Sequence, residues 1–286
     1  MGRTIGSVLI IANTGKREAR GLAEEIEEYL RGEGIKTTLF AYDGTPVTDP
    51  PDKRFDLAIS LGGDGTVLFA SRILSSHTVP ILPVNLGIFG FITEVTREEW
   101  RDAFLKFRDG KIDAGKRLIL EVSVYRRDSA ISSFVGLNDA VISAGGISKI
   151  VNLTVHLGDQ FLGHYRADGM IIATPTGSTA YSAAAGGPIL HPEMEAMILN
   201  PICPHTLSHR PLVIPADEVV NIEIAERQRT NVVLTVDGQS LTPLEPFDRV
   251  VIRQMAERAA IVRSHRRTFY EVLRTKLNWS GGPGSA

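Results

Sequence analysis

The chain has 286 residues, 43% of them hydrophobic and 22% charged, with a formal net charge of −2. That length suits two ordinary domains with substantial cores, and that balance excludes a disordered chain. A near-neutral charge gives no general reason to expect nucleic acid or an anionic membrane as partner, and the only cysteine, Cys203, leaves no intrachain disulfide to form. There is no Cys/His cluster of the kind that holds structural zinc. Residues 1–11 carry one arginine and a short apolar run, soon broken by Asn13-Thr14-Gly15-Lys16, which is too brief for a secretory leader. No stretch approaches the ~18 apolar residues of a membrane span. Cytoplasmic residence is the expectation.

Taken in order, residues 7–12 read as a buried strand. Over 17–31, Leu22, Ile26, Tyr29 and Leu30 recur at helical spacing with Glu24, Glu25, Glu27 and Glu28 between them, and Gly32 and Gly34 end that helix. A second strand covers 35–40, and the polar, proline-containing stretch 43–54 reads as a surface loop. An apolar run over 55–61 is a third strand, followed by a glycine turn and a helix whose face is Val67, Leu68, Phe69, Ala70, Ile73 and Leu74; a fourth strand covers 79–84. This alternation predicts a doubly wound, Rossmann-like parallel sheet. A helix over 100–107 closes the segment. From about residue 112 the pattern becomes short β-rich runs, at 118–125, 132–136, 139–143, 151–157, 169–173, 219–224, 232–236 and 249–253, with one short helix near 178–185. This predicts a mainly-β sandwich. A last helix over 266–277 is expected to pack back on the first domain. The expected division is an α/β domain at 1–112 joined by the C-terminal helix 265–278, a β-sandwich at 113–264, and a flexible tail at 279–286.

Four constellations carry chemistry. Leu61-Gly62-Gly63-Asp64-Gly65-Thr66 falls where a strand hands over to a helix. Glycines there allow positive φ and close approach of backbone N–H groups to a phosphate, with the helix start adding partial positive charge. Asp64 would oppose a phosphate, so it either orients or deprotonates an attacking hydroxyl or simply caps the helix in a tight turn. Asn85-Leu86-Gly87-Ile88-Phe89-Gly90-Phe91 is a second glycine-spaced loop, whose phenylalanines suit a pocket wall or the core. Asn138-Asp139, at a strand entrance, can satisfy the two hydroxyls of a ribose or close a local turn. Arg166-Ala167-Asp168-Gly169 leads through a strand to Thr174-Pro175-Thr176-Gly177-Ser178-Thr179-Ala180-Tyr181-Ser182. There, small hydroxyl residues can line a polar ligand and Tyr181 can stack on a flat ring.

In that order and spacing, these motifs resemble the NAD kinase family, the long Thr-Pro-Thr-Gly-Ser-Thr-Ala-Tyr block being the most specific part. The resemblance implies transfer of the ATP γ-phosphoryl group to the 2′-hydroxyl of the adenosine ribose of NAD, giving NADP. It implies Asp64 as proton acceptor and Gly62, Gly63, Gly65 and Thr66 as the phosphate turn. By the same similarity Gly65, Phe91, Asn138, Asp139, Lys149, Arg166, Asp168, Thr179, Ala180, Tyr181, Ser182, Ala184 and Gln239 line the dinucleotide site. The family usually has Glu where this chain has Asp139, and His-Leu is frequent where this chain has Ile88-Phe89. Mg2+ or another divalent cation, carried on phosphates without nameable protein ligands, and a homo-oligomer, a tetramer, are implied too. A lipid kinase of the diacylglycerol type shares the glycine-Asp turn, and a non-enzymatic nucleotide-binding regulator is the reading from another class.

Overall fold

The computed structural model describes residues 2–43, 54–87, 89–146, 150–206 and 208–279. It divides into two compact units, residues 1–116 with 259–286, and residues 117–258.

The first unit begins with strand β1 (Ser7–Asn13), helix α1 (Arg17–Gly32) and strand β2 (Lys36–Tyr42). The expected loop falls largely on residues 44–53, outside the described residues. Strand β3 (Leu57–Gly62), helix α2 (Asp64–Ile73), strand β4 (Ile81–Asn85), the short β5 (Val95–Thr96), helix α3 (Trp100–Arg108) and strand β6 (Ala114–Arg117) follow. The strands lie in the order β2-β1-β3-β4, each pair parallel. Every residue of β3 and β4 is buried, as expected of central parallel strands covered on both faces. Helix α1 buries Ala19, Leu22, Ala23, Ile26 and Leu30, a spacing that is one face of a 3.6-residue period, and leaves its glutamates outward.

The second unit holds β7 (Leu120–Arg126), β8 (Ser129–Gly136), β9 (Asp139–Ala144), β10 (Val151–Leu157), β11 (Gln160–Ala167) and β12 (Gly169–Ala173). A 3-10 turn, Gly177–Thr179, and a one-turn helix α4 (Tyr181–Ala184) stand where one short helix is predicted. Strands β13 (Ala196–Ile202), β14 (Leu212–Pro215), β15 (Val220–Ile224), β16 (Val232–Val236), β17 (Ser240–Leu244) and β18 (Arg249–Gln254) complete it. Among the described residues they form two antiparallel six-stranded sheets, β11-β10-β15-β18-β7-β8 and β14-β13-β12-β9-β16-β17. One core joins the sheets: Leu120, Val122, Leu153, Ile222 and Ile252 from the first meet Ile142, Met170, Ile172, Met197 and Leu234 from the second. Strands β9, β12 and β13 are buried on their other face too, where Val141, Ile171, Ala173 and Ile198 pack with Leu190. The chain after α4 therefore roofs that sheet.

Strand β19 (Ala259–Val262) then returns to the first unit, pairing parallel with β4 and lying between it and β6. Helix α5 (Phe269–Lys276) follows, opened by a capping box in which Thr268 and Glu271 satisfy each other's backbone N–H groups. The unit boundaries thus give residues 113–116 and 259–264 to the α/β unit, where the sequence pattern alone assigns 113–264 to the sandwich.

Candidate active site

In the first unit, β1 has β2 on one side and β3 on the other, so the carboxyl ends of β1 and β3 form the switch point at which open α/β sheets take ligands. Two turns meet there. Asn13, ending β1, accepts from Gly15 N–H at 3.0 Å and reaches Thr66 Oγ1 with Nδ2 at 3.4 Å. Lys16, just ahead of α1, carries its Nζ to 3.7 Å from the position a Cβ would take on Gly63. Lys16 is a residue that motif reading misses.

The glycines act differently from expectation. None of Gly62, Gly63 and Gly65 has positive φ. Gly62 is required because a side chain would collide with Thr66, whereas a Cβ on Gly65 would point into open space. Thr66 is 2% exposed and its hydroxyl packs between Gly62 and Asn13, so its side chain braces the turn.

Asp64 is the first residue of α2, where the helix dipole favours an anion. Its Oδ2 accepts from Phe91 N–H at 2.9 Å; its Oδ1 accepts from Thr93 N–H at 2.9 Å, Thr93 Oγ1–H at 2.8 Å and Ile92 N–H at 3.3 Å. A Cβ on Gly90 would overlap this carboxylate. The second glycine loop is therefore a cradle for Asp64, and Phe91 touches the site through its backbone. Phe89 faces elsewhere: Arg267 and Lys276 lie over its ring at 5.6 and 5.2 Å, and Arg267 also forms a two-toothed pair with Glu99 at 2.7 and 3.0 Å.

The second unit brings Asn138, Asp139, Gln239 and residues 174–184 to one end of its β9-containing sheet. The tie is Asp237, which sequence reading also misses. Asp237 and Gly238, both at positive φ (52° and 63°), form the tight hairpin turn between β16 and β17, closed by Gln239 N–H on Val236 O at 3.0 Å. The Asp237 carboxylate accepts from the N–H groups of Leu137 at 2.8 Å, Asn138 at 2.7 Å and Asp139 at 3.1 Å. The Asp-Gly pair between two alternating runs was the available signal. On the other side, Thr174 donates N–H to Asn138 O at 2.8 Å and Oγ1–H to Leu137 O at 2.6 Å, and Gly177 lies so close to Asn138 that no side chain would fit.

Asp139 is buried, and desolvation, with the charge of Asp237 added, pushes its carboxyl from 3.8 up to about 7. Asn138 Oδ1 and Thr176 Oγ1 are buried without a partner among the described residues, acceptors that a ligand's hydroxyl or amino group would satisfy. Thr179 and Ala180 are partly exposed, and Tyr181 (48%) and Ala184 are exposed, so they can face a ligand. Ser182 is fully buried and takes bonds from Asn200 Nδ2, at 2.9 Å to its O and 3.3 Å to its Oγ, so its side chain is an internal brace. Arg166 and Asp168 are exposed at the opposite end of β12: Gly169 pairs with Ser143, whereas Ala173 pairs with Asp139. Four strand steps, about 13 Å, separate them from the Asn138 end. Lys149 lies outside the described residues.

Residues 42–112 match the family model for the ATP-NAD kinase N-terminal domain and residues 137–264 that for the ATP-NAD kinase C-terminal domain. The NAD kinase of Treponema denticola is 41% identical over 274 residues, covering 96% of each chain. The chain belongs to the NAD kinase family. The NAD kinase of Geotalea daltonii is 36% identical over 279 residues, 95% of this chain and 98% of that one. Yeast NADH kinase, solved with NADH, superposes with a TM-score of 0.88 at 26% identity, over 99% of this chain and 91% of its own. An NAD kinase from Archaeoglobus fulgidus, solved with ATP, shares the fold with a TM-score of 0.75 at 23% identity, over 96% and 99% of the two chains.

Proposed function

We infer that this chain is an NAD kinase, moving the γ-phosphoryl group of ATP to the 2′-hydroxyl of the adenosine ribose of NAD and releasing NADP. The observation that carries this reading is near full-length similarity to a known NAD kinase at 41% identity. Nothing in these relatives favours a lipid kinase or a catalytically silent regulator.

Phosphoryl transfer needs positioning and charge neutralisation more than covalent help. The donor phosphates take the turn at Gly62, Gly63 and Gly65, at the positive end of the α2 dipole, and Lys16 adds a full charge beside Gly63. Asp64 orients the 2′-hydroxyl and takes its proton as the new P–O bond forms. Asn138 and Asp139 hold a ribose, Gln239 stands beside them, and Thr179, Ala180, Tyr181 and Ala184 line the remainder. Arg166, Asp168 and Lys149 serve the dinucleotide from a neighbouring subunit of a homo-oligomer, a tetramer, whose size light scattering measures. Among the described residues no group of three or more His, Cys, Asp or Glu side chains can hold a metal ion by itself. The divalent cation, Mg2+, therefore enters on the phosphates of ATP as part of that substrate. Among the described residues no helix is long and apolar enough to cross a membrane. Residence in the cytoplasm completes the proposal, and cell fractionation tests it.

The deciding experiment is NADP formation from NAD, ATP and Mg2+, with NADH as a parallel acceptor, by the wild type and by Asp64→Asn. The variant should bind NAD normally with kcat lowered ~10²-fold or more, the usual size of a general-base contribution. Near-normal turnover in the variant would remove Asp64 from the mechanism, and no product from a folded wild type would overturn the activity.

A further inference from the structure

The cradle around Asp64 has an internal direction. Gly87 N–H can only donate, and it lies 2.6 Å from Asn85 Oδ1. That fixes the amide of Asn85 with Nδ2 toward Thr93 Oγ1, at 2.7 Å. Gly90 N–H, shared with Thr93 O at 3.2 Å, donates to the same Oγ1 at 3.0 Å. Both lone pairs of the Thr93 hydroxyl are then occupied, so its proton has one destination, Asp64 Oδ1 at 2.8 Å. Thr93 is fully buried and Asn85 is 4% exposed, so water does not compete for these bonds. The result is asymmetric among the described residues: Oδ1 is ringed by three donors of the loop, whereas Oδ2 takes the Phe91 N–H.

We propose that Thr93, itself oriented by Asn85, is the positioning residue that saturates Asp64 Oδ1 and leaves Oδ2 as the oxygen that receives the 2′-hydroxyl proton. The proposal rests on the reading of Asp64 as proton acceptor. Without the hydroxyl, the carboxylate keeps its backbone donors but loses the shortest contact holding Oδ1, and its plane is free to turn. A small misplacement of a reacting group is costly in kcat while leaving ground-state binding nearly intact.

The test uses the full-length chain and four variants, Thr93→Val, Thr93→Ser, Asn85→Asp and Asp64→Asn, with kcat, KM for NAD and ATP, and the thermal midpoint measured for each. Thr93→Val keeps the shape without the hydroxyl and should lower kcat by ~10-fold or more, with both KM values within about threefold. Thr93→Ser should restore most of kcat. Asn85→Asp puts an acceptor opposite Thr93, drawing its proton away from Asp64, and should lower kcat in the same pattern. A Thr93→Val kcat near that of the wild type, or equal losses in the Ser and Val variants, would overturn the proposal. Should Thr93→Val fail to fold, Asn85→Asp decides: an unchanged kcat overturns the proposal and a selective loss supports it. Asp64→Asn keeps the two readings apart: full turnover there sinks the acceptor role itself, whereas its loss beside an active Thr93→Val sinks only the positioning role.

Discussion

Replacing Asp139 by Asn tests the electrostatics of the ribose end. Burial and the neighbouring Asp237 raise the Asp139 carboxyl from 3.8 to about 7, so between those values the folded chain holds a proton that the unfolded chain has released. The sign follows: this contribution to stability is complete below 3.8 and is lost as pH rises to about 7. At about 1.4 kcal/mol per pH unit the whole swing is about 4 kcal/mol, of which about 3 kcal/mol falls between about pH 5 and pH 8. An amide at this position does not titrate, so the Asp139→Asn variant should gain that amount over the wild type as pH rises. Both tryptophans, Trp100 and Trp279, lie in the first unit, so the probe should sit in the second, beside Asp139. Amide hydrogen exchange along β9 and β12 reads it directly. Asp237→Asn is the control: Asn tolerates the positive φ of the turn, and removing the charge should move the wild-type transition to lower pH. A stability difference between the wild type and Asp139→Asn that does not change over that range would refute the reasoning. So would an Asp237→Asn profile matching that of the wild type.

Two further outcomes concern the first unit. Gly90→Ala would drive a methyl into the Asp64 carboxylate, so steady-state assays should show kcat reduced ~10²-fold while KM for NAD changes little, because the perturbation displaces the reacting group. Lys16→Met, removing the charge beside Gly63, should raise KM for ATP by ~10-fold or more, the weight of one charge-assisted hydrogen bond, and leave KM for NAD alone. An unchanged ATP dependence would remove Lys16 from the donor site.

How much of this was legible in the sequence depended on whether partners are near in the chain. The turn from β3 to α2 was readable because an apolar run, three glycines and a helical period follow one another within 55–74. Asp64 stood out as the one acid in it. What Asp64 touches was not readable, since the loop donors come from 90–93 and their reach depends on β4 lying beside β3. Lys16 escaped for the same reason: it meets Gly63 only because β1 and β3 are neighbours. In the second unit, β11 was missed because its exposed pattern, with Phe161 outward, is that of an edge strand. Strand β13 was missed because Asn200 and Pro201 break its apolar run, although Asn200 is buried and bonded to Ser182. Ser182 itself was expected at the ligand because hydroxyl-rich helix starts invite that reading. Its neighbours Tyr181 and Ala184 are exposed where it is not, a distinction of one residue that depends on how a single helical turn sits on the sheet.

The two aspartates show how one side chain is fitted to two tasks by its surroundings. Asp64 stands at a helix N-terminus among four loop donors, so the folded chain supplies at no further reorganisation what holds a carboxylate in one place. Asp139 has burial and a second carboxylate instead, and its own N–H is committed to that second carboxylate. A ribose hydroxyl donating to Asp139 would favour its ionised form, so binding of NAD near neutral pH should release part of a proton. Calorimetric titrations of NAD in two buffers of different ionisation enthalpy measure that release, and Asp139→Asn should abolish it. Equal proton release from the variant would mean that some other group answers to NAD, and the ribose contact would then have to be sought away from Asp139.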